Sequence, residues 1–332
     1  MKAICVTSSR ELEVRDIPFL SEPAEGHVLV EMHASAINPG DKTFLTRPLA
    51  TGRYFPGSSY DVWGASGAGK VVALGANVPS GYAGKQVAIY RSLQGSPVTI
   101  GLWSESAMVP YRSCLILPDD VSMRDYCGSL VNAITAYAFL QEIAAEGHRG
   151  IIVTAGNAAT GQALASLARR RNMPAIFLVR SLAAQDSLQR RGIEHVIVTA
   201  DDNFERRLGG LAAELQAIAV FDGVGGDLTS HIAPSLPPNS TIYIYGLLGG
   251  AAPVSFPSTL FQTNNLVVKR FSNFESQTVK NLANLTAALK ELEGLIDEPM
   301  FKTRIGKEFA FDQISEAMNY ESTSGAKAVL LA

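Results

Sequence analysis

Cysteine is scarce in this chain. Cys5, Cys114 and Cys127 are scattered through 332 residues and odd in number, which excludes a disulfide framework. The five histidines (His27, His33, His148, His195, His231) show no ligand spacing with those cysteines, so no metal is expected. Neither sign of charge dominates: 28 Lys and Arg face 31 Asp and Glu, and a net charge of −3 gives no nucleic acid or anionic membrane a reason to bind. No apolar run approaches the roughly 20 residues needed to span a bilayer. Met1 to Val6 reads as a first strand rather than a signal peptide, because no cleavage region follows it, and a cytoplasmic location is expected.

What remains is an ordinary globular composition, 47% hydrophobic and 18% charged, long enough for two cores. Residues 1–120 are punctuated by glycine and proline and carry short β-like runs at 28–32, 69–74 and 85–90. That texture predicts a compact, mostly β, barrel-like domain. Beyond 121, strand-like runs at 150–154, 175–179, 194–198, 218–222 and 241–246 alternate with helical stretches at 162–172, 184–191 and 203–214. Such alternation predicts an α/β domain, a doubly wound parallel sheet covered by helices on both faces, over 121–261. One long amphipathic helix is expected over 278–293. The apolar run at 326–331 needs a sheet to join, so 262–332 is expected to return to the first domain and make it discontinuous.

The chemistry is densest at Ile151-Ile152-Val153-Thr154-Ala155-Gly156-Asn157-Ala158-Ala159-Thr160-Gly161. A buried strand runs into a small-residue turn, and a helix follows with Ala163, Leu164, Leu167 and Ala168 on one face. The turn matches the dinucleotide fingerprint as Gly156-x-Ala158-x-x-Gly161, with alanine for the middle glycine. Small residues admit the backbone to a pyrophosphate, whose charge the helix N-terminus then receives. The competing reading is a turn rich in small residues for packing alone. Arg180-Ser181 closes the second strand, where an NAD site places a carboxylate for the ribose hydroxyl. A guanidinium fork suits a phosphate and a carboxylate would repel one, so NADPH is favoured over NADH.

In the order of its parts the whole chain resembles the medium-chain dehydrogenase/reductase superfamily, in the zinc-independent quinone oxidoreductase and enoyl reductase branch. Asn38-Pro39-Gly40-Asp41 is similar to that branch's Asn-Pro-x-Asp motif, and Gly69-x-Val71-x-x-x-Gly75 to its Gly-x-Val hairpin. Asp222-Gly223-Val224-Gly225-Gly226 and Tyr245-Gly246 resemble its later cofactor loops. Val131-Asn132-Ala133-Ile134-Thr135-Ala136-Tyr137 and Leu178-Val179-Arg180 resemble the mitochondrial type of enoyl-thioester reductase. The resemblance implies a Rossmann domain beside a GroES-like barrel. It also implies NADPH contacts from Asn132, Thr135, Gly156, Asn157, Ala158, Ala159, Thr160, Arg180 and Ser181, and from Tyr245, Gly246, Leu247, Leu248, Phe271, Ser272, Asn273 and Lys327. Asn132 and Thr135 also read as helix-capping and packing residues. Ser66 stands where the family usually has an acidic residue, which leaves substrate identity open.

Where the zinc enzymes of this superfamily carry ligands, residues 37–41 hold neither thiol nor imidazole, Ala65-Ser66 replaces their His-Glu pair, and 90–100 has no cysteine. Without a Lewis acid, a conjugated acceptor is the easier hydride target, because charge spreads onto a carbonyl oxygen. The expected activity is NADPH-dependent reduction of an enone or enoyl thioester. Quinone reduction is one alternative, and an NADPH-binding module with little turnover is another. Tyr54 lies near the place of the enoyl reductases' proton-donating tyrosine, with Tyr60 second; a phenol stays protonated at neutral pH. Tyr54 reads equally as an aromatic wall. Asn38 would orient substrate or nicotinamide, and Asp41 would tie down its own turn. Family resemblance implies a homodimer, paired near Ile242-Tyr243-Ile244, an apolar stretch that reads equally as interior.

Overall fold

The computed structural model describes residues 1–19, 22–46, 58–250, 252–322 and 325–332, so Tyr54 lies outside the described residues. The chain divides into two compact units, Met1–Ile134 with Leu285–Ala332, and Thr135–Asn284. Both divisions fall later than the expected 120/121 and 261/262. At the first there is no linker, because residues 134 and 135 lie inside one helix, Ser129–Ala145. At the second, a strand beyond residue 261 still pairs with the parallel sheet.

In the first unit β1 (Lys2–Val6) and β2 (Leu12–Asp16) form an antiparallel pair. The main sheet is built from β3 (His27–Ala36), β4 (Ser66–Leu74), β5 (Gln86–Tyr90), β6 (Ser106–Pro110) and β7 (Cys114–Ile116), with β14 (Ile305–Phe309) and β15 (Lys327–Leu331) from the C-terminal segment. Its order is β14-β15-β3-β4-β5-β7, and β6 also pairs with β3. The C-terminal run therefore joins this sheet, parallel to β14 and antiparallel to β3. Helix α1 (Pro39–Thr46) follows β3 directly and carries buried Asp41 in its first turn.

The second unit is a six-stranded parallel sheet in the order β10-β9-β8-β11-β12-β13. Its strands are β8 (Gly150–Val153), β9 (Ala175–Val179), β10 (Val196–Val198), β11 (Ala217–Asp222), β12 (Thr241–Ile244) and β13 (Val267–Arg270). Strand β8 is buried throughout, as a strand covered on both faces must be. Strand β12 is hydrogen-bonded on both sides, so residues 242–244 offer no free edge to a second copy; the edges are β10 and β13. Helix α2 (Ser129–Ala145) is predominantly apolar, with Ala136, Ala138, Phe139, Leu140 and Ile143 buried. The crossovers are α3 (Ala159–Arg170), α4 (Leu182–Gln189), α5 (Phe204–Glu214) and α6 (Gly226–Ile232), with a single turn, α7 (Thr259–Thr263), before β13.

The single helix expected over 278–293 is two. Helix α8 (Gln277–Lys280) stops at Asn281, whose backbone is extended, and α9 (Leu282–Glu293) begins beyond it. The Asn281 Oδ1 accepts from the Ala283 and Asn284 N–H groups at 2.9 and 3.1 Å, an asparagine competing with the helix it interrupts. Among the described residues no helix is long and apolar enough to cross a membrane.

Candidate functional site

The dinucleotide turn in the second unit is built by close approach. A Cβ on Gly161 would stand 2.4 Å from the Gly156 carbonyl oxygen, and one on Gly156 would stand 2.8 Å from Phe177 Cβ. Position 158 is different: Ala158 has extended dihedrals that any residue adopts, so the missing middle glycine costs the turn nothing. Ala155 takes φ 50° to make the bend. No side chain caps α3 at Ala158, which leaves the orphan N–H groups of the first turn for an external acceptor. Asn157 to Thr160 are half-buried there. The buried Gln162, which the sequence pattern did not single out, donates to the Asn157 carbonyl at 3.0 Å and to its Oδ1 at 3.1 Å.

Asp222, fully buried at the end of β11, organises the neighbouring loop. Its carboxylate accepts from the Thr154 hydroxyl at 2.6 Å, the Thr229 hydroxyl, and the Val224 and Gly225 N–H groups at 3.0 and 3.2 Å. The Asp222 and Gly223 carbonyls accept from the Tyr245 and Leu248 N–H groups at 2.9 and 3.0 Å, which ties the loops after β11 and β12 together. The Tyr245 ring stacks on Phe221, with centroids 3.9 Å apart. Burial pushes the Tyr245 hydroxyl well above the usual phenol range; the Asp222 charge adds to this and a hydrogen bond with Thr160 opposes it. Leu247 and Leu248 are exposed.

Arg180 follows β9 in solvent, and among the described residues it has no hydrogen-bond or ion-pair partner. The Ser181 hydroxyl accepts from the Ala184 N–H at 3.3 Å and caps α4, a structural task that shares the position. Phe271 is buried and Ser272 half-buried; Asn273 is buried, and its Nδ2 has no hydrogen-bond partner among the described residues. A buried amide left without an acceptor is costly unless a ligand satisfies it.

The first unit gathers Asn38, Asn132 and Lys327. The Lys327 ammonium donates to Asn38 Oδ1, and its Nζ lies 3.3 Å from where a Cβ on Gly128 would stand. The Gly128 carbonyl in turn accepts from the Asn132 amide. Asn38 Nδ2 donates to Asp41 Oδ2 and to the Ser66 hydroxyl, both at 2.9 Å, so the whole Asn38 amide is engaged inside the protein. Asp41 also accepts from the Asn38 and Ala65 N–H groups at 2.8 and 3.1 Å, tying α1 to the start of β4 as well as to its own turn. Burial pulls Lys327 down to about 8; the Arg304 charge adds to this, while Cys127 and Asp41 oppose it. Burial likewise pushes the Cys127 thiol up to about 12. Thr135 is half-buried on α2. Tyr60, the second phenol candidate, is exposed, with φ 61°. Among the described residues no three His, Cys, Asp or Glu side chains are grouped as metal ligands.

Residues 24–119 match the alcohol dehydrogenase GroES-like domain. The chain is 26% identical over 186 residues to the human synaptic vesicle membrane protein VAT-1 homolog, covering 55% of this chain and 45% of the relative. It is 28% identical over 246 residues to the mitochondrial enoyl-[acyl-carrier-protein] reductase of Xenopus tropicalis, covering 72% and 66%. It thus spans less than half of the first relative and about two thirds of the second. Escherichia coli quinone oxidoreductase, solved as a complex with NADPH, superposes with a TM-score of 0.76 at 20% identity, over 100% of this chain and 99% of that one. The chain thus has two units, one carrying a GroES-like sheet and one a parallel sheet with a small-residue turn after its first strand. The match over 24–119 gives the first unit a GroES-like domain, and the likeness to solved quinone oxidoreductases shows that the whole chain has their fold.

Proposed function

We propose that this chain is an NADPH-dependent reductase that delivers hydride to an α,β-unsaturated carbonyl compound or enoyl thioester without zinc. The observation that carries this reading is Arg180, an unpartnered guanidinium at the end of β9, where the adenosine ribose of a dinucleotide on the 156–161 turn would lie. It pairs with the 2′-phosphate. The uncapped N-terminus of α3 receives the pyrophosphate. The orphaned Asn273 amide donates to the bound dinucleotide. When bound, NADPH supplies the hydride. Asn38 acts as the holder of Lys327 rather than as a donor to a ligand, because both of its amide hydrogens are spent on Asp41 and Ser66 and its oxygen accepts from Lys327. Tyr54 gives its phenolic proton to the enolate that hydride addition to the β-carbon leaves, which completes the saturated product.

A second reading, reduction of quinones on the same scaffold, is supported by the similarity to a quinone oxidoreductase and needs no dedicated proton donor. Fluorescence titration with NADPH and NADH, followed by turnover with crotonyl thioesters, enones and 1,4-quinones, separates the readings. Binding of NADPH with consumption by the enoyl substrates, slowed in Tyr54→Phe, is expected. Consumption by quinones alone overturns the enoyl assignment. Tight binding with no turnover leaves a nucleotide-binding module, and no binding ends the proposal.

A further inference from the structure

Two candidate cofactor loops, 245–248 and 271–273, leave the ends of neighbouring parallel strands. Two residues before each loop, Tyr243 on β12 and Lys269 on β13 are register partners. One carboxylate spans the pair. Just past the end of α2, Glu146 accepts from the Tyr243 hydroxyl at 2.5 Å and from the Lys269 ammonium at 2.7 and 3.0 Å. The Lys269 Nζ also sits 4.6 Å from the Tyr243 ring centroid, and His148 Nε2 lies 3.0 Å from the Tyr243 hydroxyl oxygen. Burial works to raise the Glu146 carboxyl, but hydrogen bonds from Lys269 and Tyr243 and the charges of Lys269 and His148 outweigh it and hold it below the usual range.

Behind this clamp the same helix supplies an aromatic hub. The Phe139 ring lies 5.3 Å from Tyr243 and 5.6 Å from Phe271, both edge to face, and stacks on Phe221 at 4.1 Å. Phe221 carries Tyr245. Tyr243, Tyr245 and Phe271 are thus referred to α2, through Phe139 on the inside and Glu146 at the rim. Sliding β13 against β12 would break the carboxylate bridge together with the edge-to-face contact of whichever strand moved.

We propose that Glu146 is a positioning residue for the dinucleotide: it locks β12 and β13 in register where they open into the 245–248 and 271–273 loops. This rests on the NADPH reading above. Glu146 touches no ligand itself, and its effect is carried by Tyr243 and Lys269. Asp201 supplies the control, a carboxylate in the same unit that accepts from the Asn203 N–H at 3.0 Å and pairs with Arg207 at 2.9 Å, just after the opposite edge strand β10.

The test is NADPH affinity by fluorescence, with hydrogen exchange of the two loops. In Glu146→Ala the Kd should rise about tenfold, a loss comparable to one good hydrogen-bonded ion pair, and exchange at 245–248 and 271–273 should quicken. The turnover number at saturating NADPH should stay within about twofold of wild type. Glu146→Gln should recover part of the affinity, since its amide oxygen still accepts from Tyr243. Asp201→Ala should bind NADPH as wild type does. Unchanged affinity and exchange in Glu146→Ala, or equal weakening by Asp201→Ala, overturns the proposal. A wild-type chain that binds no NADPH ends the functional reading instead; exchange at the loops then still decides whether Glu146 holds them.

Discussion

At the scale of single residues, the proposed preference for NADPH rests on one side chain, Arg180. A guanidinium paired with a phosphate makes charge-assisted hydrogen bonds worth about 1.5–3 kcal/mol. Arg180→Ala is therefore expected to weaken NADPH roughly 10- to 100-fold while NADH, which lacks the phosphate, binds as before; isothermal calorimetry with both nucleotides reads the difference. Equal loss for both would remove Arg180 from the phosphate site. Lys327 makes a different kind of statement. Its folded value of about 8 lies below the ordinary 10.5, so between these limits the unfolded chain holds a proton that the folded protein has released. Stability from this group then rises with pH across that window; below it, both states carry the proton and the cost of burying the charge is present in full. Thermal melts of wild type and Lys327→Met from pH 7 to 10.5 should diverge in slope, the wild type gaining on the variant above pH 8. Parallel curves would mean that Lys327 is solvated. Arg180 and Lys327 were both readable as residues, Arg180 from its place after a strand and Lys327 only through family resemblance. The use the fold makes of Asn38 was not, because nothing in Asn-Pro-Gly-Asp says that the amide will be consumed by Asp41, Ser66 and Lys327.

Elements were legible to the extent that their signals were local. Strand β9 falls where its apolar run ends, and α3 starts slightly before the expected residue 162, because Ala159 and Thr160 continue the helix ahead of Gly161. The break between α8 and α9 escaped the periodicity, since one asparagine interrupts a helix without disturbing the spacing of its apolar positions. An apolar run alone does not tell an edge strand from an interior one: Ile242-Tyr243-Ile244 fits either, and the sheet order places it between β11 and β13. The turn before α3 permits a sharper expectation. The space facing Gly161 is filled by backbone, the Gly156 carbonyl at 2.4 Å and the Ala155 carbonyl at 2.8 Å, which cannot swing aside as a side chain would. Gly161→Ala should cost about 1–3 kcal/mol in urea unfolding and widen the turn, weakening nucleotide binding as well. An alanine tolerated without loss of either would show that α3 can shift away from β8, and the close-packing argument for the fingerprint would fall.

Over the whole molecule, the alternation of texture around residue 120 announced two cores, but the division lies inside α2, where an uninterrupted apolar helix gives composition nothing to mark. The return of the C-terminus was legible because a run such as Ala328-Val329-Leu330 must be buried, and β15 is held between β14 and β3. Each unit has its own sheet and its own apolar clusters, which permits the two to unfold separately. The chain supplies a convenient reporter: its only two tryptophans, Trp63 and Trp103, are buried in the first unit, in the same cluster as Leu330. Leu208, fully buried in the cluster formed by the parallel sheet and its helices, is the matching probe of the second unit. Truncating a buried leucine to alanine costs about 2–5 kcal/mol. With urea slopes of roughly 1–3 kcal/mol per molar, Leu330→Ala should lower the tryptophan-reported midpoint by about 1 M or more. Leu208→Ala should leave that midpoint in place and lower a separate transition seen by far-ultraviolet circular dichroism. If both variants move the tryptophan transition equally, the shared helix couples the two cores into one cooperative block, and a substitution in either unit must then be judged against the stability of the whole chain.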